Sequence, residues 1–245
     1  MSSRRTRIGL IVPSSNSTVE YDYQRILDAD TSLHTARVFL VDTTIEMLER
    51  MNQDAEEAAR SLESASVDVI AYACTSGSFL GGPGYDDALL ARVSDAARGT
   101  EAVGTTPAVI EALHAMGLRR VAVVTPYIDS INERLAAFFE DKGFDIASMA
   151  GQQLVANLDI GDQTPEQIAA FAREHMARDV DGFFLSCTNW RAMEVAEELE
   201  RELGKPVVTS NQATIWASLR AVGRTAPVDG FGALLRMEPG AVSAG

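Results

Sequence analysis

The chain has 245 residues, 46% hydrophobic and 23% charged, the profile of an ordinary soluble globular protein with length enough for one large or two small α/β units. Asp and Glu outnumber Lys and Arg by 35 to 21, a formal net charge of −14, which argues against nucleic acid or an acidic membrane surface as a partner. Two cysteines do not make a disulfide framework, and His34, His114 and His175 lack metal-ligand spacing, so no metal is expected and each histidine reads as a surface or structural residue.

In chain order, the N-terminus sets basic residues before an apolar run that ends at Pro13, too short for a signal-peptide core or a membrane span. A cytoplasmic protein with no membrane association is expected. Short apolar runs at 8–12, 38–41, 67–73, 121–124, 183–185 and 207–208 suit buried parallel strands, and helical periodicity occupies 44–64, 107–116, 132–142, 165–177 and 190–203. Thr164, Pro165, Glu166 and Gln167 spell a helix start, and Gly117, Gly143 and Gly204 follow helices as C-cap glycines. LGGPG at 80–84 lacks the nucleotide-binding glycine patterns and reads as a plain turn rather than a lid; 236–245, without periodicity, reads as a loose tail. Strand then helix, repeated, predicts α/β layers with a parallel sheet covered on both faces.

The chain also repeats itself. RIGLIVP at 7–13 aligns with RVAVVTP at 120–126, and DVIAYACTSG at 68–77 aligns with DGFFLSCTNW at 181–190, both at an offset of 113; VGTTPA at 103–108 matches VTSNQA at 208–213 at an offset of 105. The chain therefore reads as two copies of one α/β unit. Residues just past the carboxyl ends of parallel strands line the ligand crevice, and Ser14 to Asn16, Cys74 to Gly77, Tyr127, Cys187 to Asn189, Ser210 and Asn211 all fall at such positions.

Each cysteine ends a buried strand and precedes a polar turn that opens a helix, where free N–H groups and the helix dipole favour thiolate. A buried inert thiol, a redox disulfide and a metal site are the competing readings; the matched placement of the pair favours function, and the absence of CxxC spacing disfavours the last two. Two opposed thiols suit a reaction at an sp² or acidic carbon, with one face attacked or deprotonated and the other protonated. The neighbours Asn16, Thr75, Ser76, Tyr127 and Thr188 are neutral donors that suit a small carboxylate or dicarboxylate and would steady an enediolate.

The set PSSN at 13–16, CTSGS at 74–78, TPY at 125–127, Asn157 within NLDIGD and SCTN at 186–189 resembles the maleate cis-trans isomerases, a branch of the Asp/Glu racemase superfamily. The resemblance implies two pseudo-symmetric doubly wound parallel-sheet domains, 1–105 joined by 211–245 and 106–210, with the site in the cleft between them. It implies that Cys74 is the nucleophile and Cys187 the partner thiol. Asn16, Tyr127 and Asn157 would bind the two carboxylates, with an oxyanion-binding turn at Thr75 and Ser76. It implies further that no cofactor takes part, that the substrate is a small unsaturated dicarboxylate, and that the chain forms a homodimer or dimer of dimers. A two-thiol racemase of an amino acid or related acid is the alternative. Asn189 stands where racemases resembling glutamate racemase carry His, and Cys74 is present where arylmalonate decarboxylases keep only the second cysteine; STVEY at 17–21 differs from the Thr-Thr-rich continuation of maleate isomerases and leaves the acid open.

Overall fold

In the computed structural model, which describes residues 4–175 and 177–238, the first half runs β1 (Thr6–Pro13), α1 (Val19–Ile26), β2 (Thr31–Val38), α2 (Ile45–Gln53), α3 (Ala55–Glu63), β3 (Val69–Tyr72), α4 (Thr75–Phe79), α5 (Tyr85–Ala96), β4 (Glu101–Gly104) and α6 (Thr105–Ala115). The second half runs β5 (Arg120–Thr125), α7 (Asp129–Asp141), β6 (Asp145–Gly151), α8 (Asn157–Gly161), α9 (Pro165–His175), β7 (Gly182–Leu185), a 3-10 turn (Arg191–Glu194), α10 (Ala196–Leu203), β8 (Val207–Thr209) and α11 (Ser210–Ala221). Each half holds a four-stranded parallel sheet, ordered β2-β1-β3-β4 and β6-β5-β7-β8.

The internal repeat survives in the strand register. Ile8 pairs with Val69 in the first sheet and Val121 with Gly182 in the second, each residue displaced by the same 113 positions. Ile70 pairs with Ala102 and Phe183 with Val207, where the second offset becomes 105. The aspartates that open the repeated motifs have a matched duty: Oδ2 of Asp68 accepts the Arg7 N–H and Oδ2 of Asp181 the Arg120 N–H, both at 2.8 Å. A carboxylate there satisfies a strand-start donor that the ladder leaves free.

The central strands β1, β3, β5 and β7 are buried on both faces, which is why their apolar runs stand out in the sequence. Three of the four sheet-edge strands differ from expectation, whereas β8, buried along its length, matches the run 207–208. The run 38–41 overlaps β2 only at Val38, and Phe39 and Val41 lie exposed beyond it; β4 and β6 carry no predicted strand. An edge strand is wetted on one side, so its sequence loses the continuous apolar signature.

The predicted helix at 44–64 breaks at Asp54 into α2 and α3, and that at 190–203 begins as the 3-10 turn; α1, α5 and α11 were without a predicted helix. The Thr164 start is a reciprocal cap, with Gln167 N–H donating to Thr164 Oγ1 at 3.3 Å and Thr164 N–H to Gln167 Oε1 at 2.8 Å. Gly82 and Gly84 take positive φ between two tight turns, with no Cβ space contested, so 80–84 is a turn as expected. Arg236, expected in a loose tail, instead closes a 3-10 turn and ion-pairs with Glu197; 239–245 lie outside the described residues. Among the described residues no helix is long and apolar enough to cross a membrane.

The last helix returns to the first half. Tyr23 of α1 and Ser218 of α11 share a hydrogen bond of 2.8 Å, and Thr214 of α11 donates to Thr105 at 3.0 Å. The carboxyl ends of β1, β3, β5, β7 and β8 thereby converge where the two halves meet.

Candidate active site

Cys74 caps α4, and its Sγ accepts the Gly77 N–H at 3.4 Å and lies 3.8 Å from Ser76 Oγ. Gly77 is required here: a Cβ would stand 2.8 Å from the Tyr72 hydroxyl and 2.9 Å from the Met51 methyl. Asn52, held by the Tyr72 hydroxyl, donates to the Gly77 carbonyl at 2.8 Å and locks the turn.

Cys187 occupies the matched strand end with a different backbone. Its φ of 128° is the left-handed side of the map, which a side chain enters only under constraint from its surroundings. The constraints are visible. Its N–H donates to Ser210 Oγ at 2.9 Å, its Sγ accepts the Asn189 N–H at 3.4 Å, and the Thr188 hydroxyl donates to the Ala73 carbonyl, beside Cys74, at 3.1 Å.

The same residues stitch the halves together. Thr75 donates to Ser210 Oγ at 2.9 Å, Asn16 Nδ2 to Thr188 Oγ1 at 3.2 Å, and Asn157 Nδ2 to Ser15 Oγ at 2.8 Å. The backbones of 41–43 and 155–157 bridge over them, with Thr43 N–H donating to Val155 at 2.7 Å and Asn157 N–H to Val41 at 2.9 Å. All eight residues expected at the site, Asn16, Cys74, Thr75, Ser76, Tyr127, Asn157, Cys187 and Thr188, are buried around this junction.

Burial reverses the expected thiol chemistry. Desolvation pushes the Cys74 thiol up to about 11, against the opposing Gly77 N–H and Ser76 hydroxyl, and the Cys187 thiol up to about 12, against the Asn189 N–H and the Tyr127 hydroxyl. α4 spans only five residues, so its dipole is weak beside the cost of a buried charge. Each sulfur also feels the other: charge on Cys74 raises Cys187 further, so the pair favours one thiolate at most. Burial, and after it charge on Cys187 and Cys74, hold the Tyr127 phenol protonated, well above the usual range, as a donor.

A family model for arylmalonate decarboxylase matches residues 8–235. The chain belongs to the arylmalonate decarboxylase family. Within that family it is similar to the maleate isomerase of Nocardia farcinica, 34% identical over 241 residues that cover 95% of this chain and 96% of the relative. A cysteine-to-serine variant of the Nocardia farcinica maleate cis-trans isomerase, with a covalently bound succinylcysteine intermediate, matches at a TM-score of 0.90 and 32% identity, over 94% of this chain and 98% of that one. A cysteine-to-alanine variant of the Pseudomonas putida maleate isomerase with maleate matches at a TM-score of 0.91 and 28% identity, over 94% and 97%. The two-unit Asp/Glu racemase-like fold expected from the sequence is the fold of this family member.

This member of the arylmalonate decarboxylase family departs from expectation in how its amides are used. Asn16 Oδ1 accepts the Thr18 and Val19 N–H groups, leaving one side-chain N–H free of protein partners. Asn189 and Asn211, read from the sequence as ligand donors, are spent on protein: Asn189 on Ser17 and the Asn157 carbonyl, Asn211 on Asp22 and the Thr188 carbonyl. Sequence reasoning missed Asp22, Asn52, Tyr72 and Ser186. The available signal for Asp22 was an acid in an inward helical stripe with Val19 and Tyr23. Among the described residues no three His, Cys, Asp or Glu side chains gather as metal ligands; His114 stacks on Phe144, and His175 on Phe171.

Proposed function

We propose that the chain isomerises maleate to fumarate without a cofactor, through a covalent adduct on Cys74. The observation that carries this reading is the pair of buried thiols at register-matched strand ends, with the neutral side chains of Asn16, Thr75, Ser76, Tyr127 and Thr188 buried around the same junction. Cys74 Sγ, once its proton has passed to solvent, adds as thiolate to one alkene carbon. The π electron pair moves onto the neighbouring carbon and its carboxylate, and the Cys187 S–H protonates that carbon. Rotation about the new single bond brings the carboxylates trans; Cys187 thiolate then takes the proton back, the double bond reforms, and the C–S bond breaks to restore Cys74 thiolate. One thiolate and one thiol suffice throughout, in keeping with the mutual penalty on charging both.

Gly77 N–H, which already donates to Cys74 Sγ, supports the starting thiolate, while the turn at Thr75 and Ser76 and the Tyr127 hydroxyl support the enediolate-like charge. Asn16 and Asn157, with Thr188, take the carboxylates from the first and second halves. Both thiols are nearly sealed, at 4% and 7% exposure. The return of 211–245 to the first domain is supported by α11 lying against α1, and the division at 105/106 is the one that the resemblance implies. The family resemblance implies a homodimer or dimer of dimers.

The test is direct. With maleate, proton NMR should show fumarate formation in buffer alone, and intact mass should show one adduct on Cys74 in a Cys187→Ser variant. Untouched maleate beside racemised aspartate or glutamate would overturn the reading in favour of a two-thiol racemase.

A further inference from the structure

Behind the Cys187 turn lies a buried carboxyl that the reaction does not use. Asp22, on α1, is fully buried; its Oδ2 accepts Asn211 Nδ2 at 2.7 Å, and the same Asn211 Nδ2 donates to the Thr188 carbonyl at 3.1 Å. Ser210 and Asn211, adjacent at the start of α11, thus grip both sides of the strained turn, Ser210 through the Cys187 N–H and Asn211 through the Thr188 carbonyl. The Cys74 turn has a counterpart in Asn52 on the Gly77 carbonyl, but there a neutral phenol, Tyr72, orients the amide.

We propose that Asp22 is a positioning residue for the partner thiol, fixing the Asn211 amide so that the turn holds Cys187 at its left-handed backbone angle. The assignment of Cys187 as partner thiol rests on the function proposed above. The charge state follows from the surroundings. Asp22 Oδ1 and Asn211 Oδ1 have no hydrogen-bond donor among the described residues, so the cluster has surplus acceptors and a proton on Asp22 supplies a missing donor. The charged groups acting on it are Arg25 on its own helix, 4.0 Å away, and Arg191 and Glu194 on the 3-10 turn; burial outweighs them and pushes the carboxyl up to about 7. Asp22→Asn mimics the neutral acid, with one oxygen for Asn211 and an N–H in place of the acid proton, whereas Asp22→Ala leaves Asn211 unoriented.

Alkylation by iodoacetamide, followed at each cysteine by peptide mass, tests this without any substrate. Asp22→Ala should change the Cys187 rate by roughly fivefold or more while Cys74 stays within about twofold, and Asp22→Asn should restore the parent rate. With maleate, Asp22→Ala should lower kcat about tenfold with KM nearly unchanged, and the Cys74 adduct should accumulate. Asn211→Ala should reproduce the Asp22→Ala pattern, and serves if that variant does not fold. An unchanged Cys187 rate, or equal changes at both cysteines in every variant, would overturn the proposal. A parent chain inert to maleate would sink the proposed function alone, because the alkylation comparison stands without it.

Discussion

The turns that carry Cys74 and Cys187 leave matched strands in the same register, yet one relaxes into a helix and the other does not. Cys74 sits at φ −144° in an ordinary N-cap conformation, and its sulfur takes an N–H three residues on; Cys187 sits at φ 128°, and its sulfur takes an N–H two residues on. The next residues explain the split. Gly77 tolerates the close Tyr72 hydroxyl and lets α4 start, whereas Asn189 is drawn across the cleft to Ser17 and, within its own half, to the Asn157 carbonyl, and Trp190 follows fully buried. Duplication thus supplied two thiols, and divergence in the residues that follow gave them unequal settings: the proposed nucleophile rests on local donors, and the proposed proton carrier is held by residues from both halves.

The strongest break of this comparison is to remove each thiol in turn. Cys74→Ser should lower turnover by at least roughly 10³-fold and abolish the adduct, while Cys187→Ser should lower turnover comparably but trap the adduct, as read by intact mass. Equal adduct levels in the two variants would erase the division of labour. Tyr127→Phe comes next, with an expected loss of about 2 kcal/mol, or roughly 30-fold in kcat. Because the Tyr127 hydroxyl lowers the Cys187 thiol against the effect of burial, its loss should slow alkylation of Cys187 more than that of Cys74.

Backbone demands separate the turns next. Gly77→Ala should cost about 1–3 kcal/mol in thermal unfolding, because the added methyl meets the Tyr72 hydroxyl and Met51 within a packed site. The last effect is the pH dependence from Asp22, read as a slope. Its folded pKa is raised to about 7, so between about 4 and 7 the folded state holds a proton that the unfolded chain has released; this contribution falls as pH rises through that window, by at most about 1.4 kcal/mol per unit. Asp22→Asn should flatten this part of the stability curve, and a slope unchanged from the parent would show that Asp22 stays ionised.

The sequence made the central strands and the repeat legible because β1, β3, β5 and β7 are buried on both faces and their apolar runs are continuous. It hid β6 and shifted β2, since edge strands mix polar and apolar residues. Helix α1 escaped because its inward stripe contains Asp22, an acid where periodicity expects an apolar side chain. The candidate site residues were legible as types at strand ends, but their allegiance was not: Asn189 and Asn211 look like ligand donors until Ser17, Asp22 and Thr188 claim them.

By itself the sequence determined two α/β units, their 113-residue register and the placing of one cysteine at each matched strand end. These are local matters of strand, turn and helix start, written in contiguous residues. Tertiary structure alone decided that both thiols are pushed up rather than down, that Cys187 is held at a strained angle, and that Asp22 stands buried behind it. Desolvation and hydrogen-bond partnership depend on what the rest of the chain brings alongside, and Asn211 reaches Asp22 from 189 residues away.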